Sequence, residues 1–301
     1  MKPEILYELP EAEYHATSGM GDDQYITRSM LKTYIADKPL FKLRYIDRLP
    51  YAQVKQSKAM ALGVYIEDAL LNGDADKWTT TPAQCWSKNK GELVKWNMQG
   101  GQFVVDDEGL PTEQTTKQWA VDHPNIVTLE DSQRVDFIRE RFNETAMGRY
   151  WINNVQKSIK QPTIRWVDEE TGLRLQVRLD CLLEGAYISD LKTSSRPIEK
   201  FSDVAHEYGY HHQHSMYQDA YEIATGEKLP FFFNVAETTG LERCRCISLH
   251  PVQIAHAKKQ LREAMKGIAA SDFSATDATT QGPVSTKELP PWLHYLYEEE
   301  A

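Results

Sequence analysis

The chain has 301 residues, 41% hydrophobic and 26% charged, a globular composition long enough to bury a substantial core. Its net charge of −10 argues against a general nucleic-acid-coating protein, for which a basic balance is expected. No apolar run reaches the ~18–20 residues of a membrane span, and four cysteines without a secretory signal point to the reducing cytoplasm.

Residues 1–24 read as an arm with a turn at Gly19-Met20-Gly21-Asp22. Thr27 or Ser29 then caps a helix that runs towards Lys38 and is stopped by Pro39. A second short helix over 40–48 carries Lys42, Arg44 and Arg48. With Arg28 and Lys32 they make a basic segment that suits backbone phosphates, or equally a solvated face. Residues 58–71 read as a helix, with Ser57 as N-cap and an end at Asn72-Gly73. Glu67 follows Gly63 by four and shares its face, where glycine permits close backbone approach. Residues 74–130 read as irregular, and Trp78, Trp86, Trp96 and Trp119 in them fit core anchors better than base-stacking groups. A helix over 130–143 follows, and 148–159 reads as a further helix or a transition segment. Pro162 introduces the strand Thr163–Val167, and a turn spans 168–172.

The most informative stretch is 173–195, LRLQVRLDCLLEGAYISDLKTSS. Two strand-forming runs, 173–183 and 187–193, flank a Glu184-Gly185-Ala186 turn, which reads as a hairpin. Asp190 and Lys192 stand at i and i+2 and project together. A three-residue loop pairs Leu183 with Tyr187, and therefore Asp180 with Asp190. A two-residue loop would put the two acids on opposite faces. Three-residue loops with a glycine are a common hairpin type. Carboxylates gathered in this way suit Mg²⁺ or Mn²⁺, and a lysine beside them can stabilise charge developing in a transition state.

Beyond the hairpin, Pro197 starts a helix, and 208–225 forms another that ends at Gly226. Gln213 and Tyr217 stand at i and i+4 on its face. Phe231–Glu237 and 243–250 close the fold as a hairpin before a last helix from Pro251 to about Ile268. Cys181, Cys244 and Cys246 read as core. Residues 271–290 read as a linker ahead of an apolar end with Trp292, Leu293, Tyr295, Leu296 and Tyr297.

Four features in order resemble the PD-(D/E)XK nuclease superfamily, and most of all its RecE-type (exodeoxyribonuclease VIII) and lambda-exonuclease-like phage recombination enzymes. They are Arg28-Ser29-Met30-Leu31 with Lys38-Pro39, Gly63 to Glu67, Asp180 with Asp190-Leu191-Lys192, and Gln213 to Tyr217. The resemblance spans roughly residues 25–265, with weak support between 75 and 160. It implies an α/β (α+β mixed) fold, a central mixed sheet flanked by helices, as one nuclease domain over 1–270 with an insertion at 74–130 and a tail over 271–301. It also implies a Mg²⁺- or Mn²⁺-dependent exodeoxyribonuclease that digests linear duplex DNA 5′ to 3′ by two-metal hydrolysis. Glu67, Asp180, Asp190 and the Leu191 carbonyl would hold the metals, and Lys192 would orient the attacking water. Gln213 and Tyr217 would position the strand, with Arg28, Ser29 and Lys32 on the DNA. A ring of three or four subunits and a single-strand annealing partner belong to the same expectation. Glu67 replaces the histidine of many relatives. Lys38 replaces the cysteine of the cluster-binding ones, which excludes an iron–sulfur cluster. Two alternatives remain: a zinc hydrolase or structural zinc site built on His206, His211, His212 and His214, and a non-catalytic DNA-end binder.

Overall fold

A computed structural model describes residues 2–53, 58–123, 125–271 and 273. Ser57, nearly all of the expected linker, and the aromatic end from Trp292 to Tyr297 lie outside the described residues.

Strand β1 (Glu4–Leu6) and helix α1 (Glu11–Ala16) lead to β2 (Ile26–Thr27) and α2 (Arg28–Ala36). The Thr27 hydroxyl accepts from the Met30 amide, so Thr27 rather than Ser29 is the cap. Pro39 does not stop this region. Asp37 caps a new helix, α3 (Lys38–Phe41), with the proline in its first turn, where a missing N–H costs no helical bond. The chain continues as a π-helical turn over Lys42–Ile46. Lys42 pairs with Asp47, Arg44 donates to the Ala52 carbonyl and Arg48 donates to Gln24, so these three basic residues serve local structure.

Helix α4 (Lys58–Glu67) widens into a second π-helical turn over Asp68–Asn72 and ends at Gly73, whose φ of 74° is glycine territory. A Cβ on Gly63 would meet the Thr193 hydroxyl at 3.4 Å, an ordinary contact, so close approach does not demand glycine here.

The stretch expected to be irregular contains regular strands. After β3 (Thr79–Thr80), strands β4 (Gln84–Ser87), β5 (Glu92–Lys95), β6 (Gln102–Val105) and β7 (Pro111–Thr115) form an antiparallel sheet in the order β5-β4-β6-β7. The sheet is small and half-exposed, so its sequence shows no strong apolar alternation. Helix α5 (Thr116–Asp122) follows, and strand β8 (Ile126–Val127) pairs with β3 in a separate two-stranded sheet. Trp96 meets Trp119 edge-on, and Trp78 packs on Tyr65 while its N–H donates to Asp68. These tryptophans are anchors.

Helices α6 (Leu129–Asn143) and α7 (Ala146–Val155) precede the main strands β9 (Ile159–Lys160), β10 (Thr163–Val167), β11 (Arg174–Arg178), β12 (Cys181–Leu183) and β13 (Tyr187–Ser194). Helices α8 (Phe201–Glu207) and α9 (Tyr210–Thr225) cross over to β14 (Phe231–Glu237), which lies parallel to β13, as such a pair requires. Strand β15 (Cys244–Ile247) and helix α10 (Pro251–Ala270) close the fold. Two sheets result, ordered β1-β10-β11-β2 and β15-β14-β13-β12-β9.

The run 173–183 is therefore not one strand. It breaks at Leu179-Asp180 and passes from one sheet into the other. Its neighbour breaks at the same level, between β9 and β10, because Pro162 has no N–H for a ladder. Gln161 turns the chain there with a φ of 51°. One apolar core lies between the sheets and α2, α9 and α10. A second lies on the other side of β13, under α4, α6 and α7.

Candidate active site

Alternation along β13 sends Tyr187 and Leu191 into the second core and Ile188 into the first, leaving Asp190 and Lys192 on the Ile188 side. Asp190 is only 1% exposed, yet both its oxygens are engaged: Oδ1 accepts from Gln213 Nε2, and Oδ2 faces the Lys192 ammonium. Lys192 Nζ also stands 5.1 Å from the ring centroid of Tyr210. Gln213 Oε1 accepts in turn from Arg28 Nη2 at 3.3 Å. A continuous polar line therefore runs Arg28–Gln213–Asp190–Lys192.

The turn has three residues, with Gly185 at φ 66°, and pairs Leu183 with Tyr187 and Cys181 with Ser189. The same register sets Asp180 opposite Asp190. Burial, then the charge of Asp190, pushes the Asp180 carboxyl well above the usual carboxylate range, against the pull of Lys192. Burial also raises Glu67. The Gln161 amide and Lys192 oppose this, while Asp190 and Asp68 add to it. Burial works against the charge of Lys192, but Asp190 and Asp180 outweigh it, and its pKa is raised. Lys192 is thus a fixed cation at neutral pH.

Sequence reasoning missed the Tyr210 ring beside Lys192, and it missed Gln161. Its Nε2 donates to Glu67 at 3.1 Å, its backbone N–H donates to the Asp180 carbonyl, and its own carbonyl accepts from Arg178. Its only sequence signal was the proline that follows it. Tyr217 belongs to the first core, so it underpins the site rather than lining its surface. Its burial, modified by the nearby charges of Arg28, Asp180 and Asp190, raises its hydroxyl pKa. Ser29 stays exposed on α2, and Lys32 lies over Tyr208 at 5.8 Å.

Among the described residues, no three His, Cys, Asp or Glu side chains are already drawn together as a metal-ligand set. For the acids the reason is electrostatic: carboxylates brought close together repel, and Lys192 and Gln213 already engage Asp190. The donors nonetheless suit a hard cation. They are all oxygen, and Mg²⁺ takes only one or two protein carboxylates besides water and phosphate. The histidines do not suit zinc. His211 Nδ1 meets the Ala205 carbonyl, His212 Nε2 meets Gln260, and His214 stacks on Phe231.

Burial lowers His212 and His214 to about 4. The unfolded chain therefore binds protons that the folded one refuses, and stability is lost as pH falls from about 6.5 towards 4. His214→Phe keeps the stack and removes one such group. Its melting temperature is expected to fall less between pH 7 and 5 than that of the unmodified protein, by differential scanning calorimetry.

A family model described as "PDDEXK-like domain of unknown function (DUF3799)" matches residues 47–274. The chain belongs to this family. Strand β13, which carries Asp190 and Lys192, lies in the mixed sheet β15-β14-β13-β12-β9, within the matched residues. A solved structure of a presumptive exonuclease from Eubacterium rectale is 16% identical, with a TM-score of 0.54 over 98% of each chain, so the two share a fold. No curated protein matches.

Proposed function

We propose that this PDDEXK-like protein is a divalent-metal-dependent exodeoxyribonuclease that digests linear duplex DNA from 5′ to 3′. The observation that carries the reading is the juxtaposition of the buried Asp190 with Lys192, with Asp180 and Glu67 close enough to feel the charges of both. A non-catalytic DNA-end binder has no use for a lysine poised among acids. The fold shared with the presumptive exonuclease from Eubacterium rectale fits an exonuclease.

In this reading Asp180, Asp190, Glu67 and the Leu191 carbonyl would hold the cation. When bound, that cation polarises the phosphoryl oxygen and lowers the pKa of water. Lys192 is held protonated, so it does not take the proton from the attacking water. It orients that water and stabilises charge gathering on the phosphate. Gln213 fixes the rotamer of Asp190, and Arg28, through Gln213, brings positive charge from α2 to the same place. A ring of three or four subunits and an annealing partner complete the proposal. The test is end-labelled linear DNA incubated with Mg²⁺, Mn²⁺, Zn²⁺ or EDTA. Label loss from the 5′ end with Mg²⁺ or Mn²⁺ supports the reading, and no cleavage with any metal overturns it.

Gln161 gives a narrower check. Asn tolerates the left-handed backbone but is one methylene too short to reach Glu67. Gln161→Asn is expected to weaken Mn²⁺ binding about tenfold by calorimetry, as loss of a group that orients a ligand does, with little change in melting temperature.

A further inference from the structure

The turn between α8 and α9 holds an aromatic group that the proposed reaction leaves unused. Tyr208 is 45% exposed. Its ring lies nearly parallel to that of Tyr210, at 24° and 5.9 Å between centroids, and Tyr210 in turn lies beside Lys192. Tyr210 is backed by Phe201 at 27° and 6.0 Å, so the ladder is anchored in the first core and ends in solvent at Tyr208.

Gly209 fixes this arrangement. Its φ of 68° turns the chain between the helices, and a Cβ there would meet Lys32 and His212 at 3.1 Å. The Lys32 ammonium lies over the Tyr208 ring, 5.8 Å from its centroid. Arg28 lies one helical turn before Lys32 on α2. Cationic groups and an open ring thus meet at the edge of the site. The exposed ring stands within about three stacked bases of Lys192, at ~3.4 Å rise each.

We propose that Tyr208 is a stacking platform for an unpaired nucleobase of the DNA end, beside the phosphate served by Lys192. The assignment rests on the nuclease reading above. A base that settles on the ring displaces Lys32, whose ammonium then pairs with the phosphate of the same nucleotide. The exchange trades a cation–π contact for an ion pair, and it leaves the base stacked on a surface indifferent to its identity. Ends with an unpaired terminal nucleotide are the favoured substrates, because a base still paired cannot turn its face to the ring.

The test uses short duplexes carrying one unpaired 2-aminopurine, at the 5′ end in one and at the 3′ end in another, mixed with the full chain in EDTA. The unmodified protein and Tyr208→Trp are expected to quench the fluorescence, and Tyr208→Ala is expected not to. With Mg²⁺, an abasic terminal nucleotide is expected to lower kcat/KM on the order of tenfold for the unmodified protein and to change nothing for Tyr208→Ala. Equal quenching by Tyr208→Ala, or an equal abasic penalty in both proteins, overturns the platform. Tyr208-dependent quenching without metal-dependent cleavage keeps the platform and overturns the nuclease reading instead. Absence of both overturns both.

Discussion

Lys192→Ala is expected to lower kcat about 10²–10³-fold, the loss that follows removal of one fixed electrostatic donor. The effect is expected in kcat more than in KM, because the ammonium acts most strongly where charge develops. The structure adds a second expectation. Asp190 is buried, and Lys192 is its counter-charge. The variant is therefore expected to melt at a lower temperature, and Mg²⁺ is expected to restore more of that loss than it adds to the unmodified protein. Single-turnover cleavage and thermal melts, each with and without Mg²⁺, read the two effects. Near-normal turnover would remove Lys192 from the mechanism.

The two aspartates are expected to behave alike in activity and oppositely in stability. Asp180→Asn and Asp190→Asn should each bring Mg²⁺-dependent cleavage to background and weaken Mg²⁺ binding by calorimetry. Asp190→Asn also strips the half-buried Lys192 of its partner, a loss of at most on the order of 3 kcal/mol, the low end for a broken buried pair. Asp180 is different, because burial and Asp190 both oppose its charge. Its folded pKa lies above its unfolded one, so the folded chain holds the extra proton, and stability is lost as pH rises through the folded value. Asp180→Asn removes that liability. It is expected to raise the melting temperature of the metal-free protein, by more at pH 8 than at pH 5. An inactive but stabilised variant is the usual mark of a residue kept for chemistry. Equal destabilisation by both substitutions would contradict the arrangement.

Much of the site was legible because it rests on short-range rules. The i, i+2 spacing of Asp190 and Lys192 and the i, i+4 spacing of Gln213 and Tyr217 follow from strand and helix periods. The glycine-containing turn set Asp180 against Asp190 once three residues were counted into it. What stayed hidden depends on tertiary structure. Gln161 is an unremarkable polar residue until Pro162 breaks the strand and turns its side chain towards Glu67. The burial of Tyr217 could not be read from a helix face that also carries Gln213. The small sheet over β4–β7 was invisible because half-exposed short strands carry little apolar alternation. The break at Asp180 was missed because each half of 173–183 is a good strand by itself, and only the neighbour's proline ends the ladder between them.

The polar line across the site has a consequence for how the chain is made. It joins Arg28 to Gln213 across 185 residues of sequence, and the neighbouring Gln161–Glu67 bond spans 94. Strand β13 cannot take its place beside β14 until residues beyond Glu237 have been synthesised. Contacts this distant form late and cooperatively. An unfinished or prematurely ended polypeptide therefore holds the acids and the lysine but not their arrangement. On the proposed nuclease reading, a polypeptide that stops short of Glu237 lacks an assembled site.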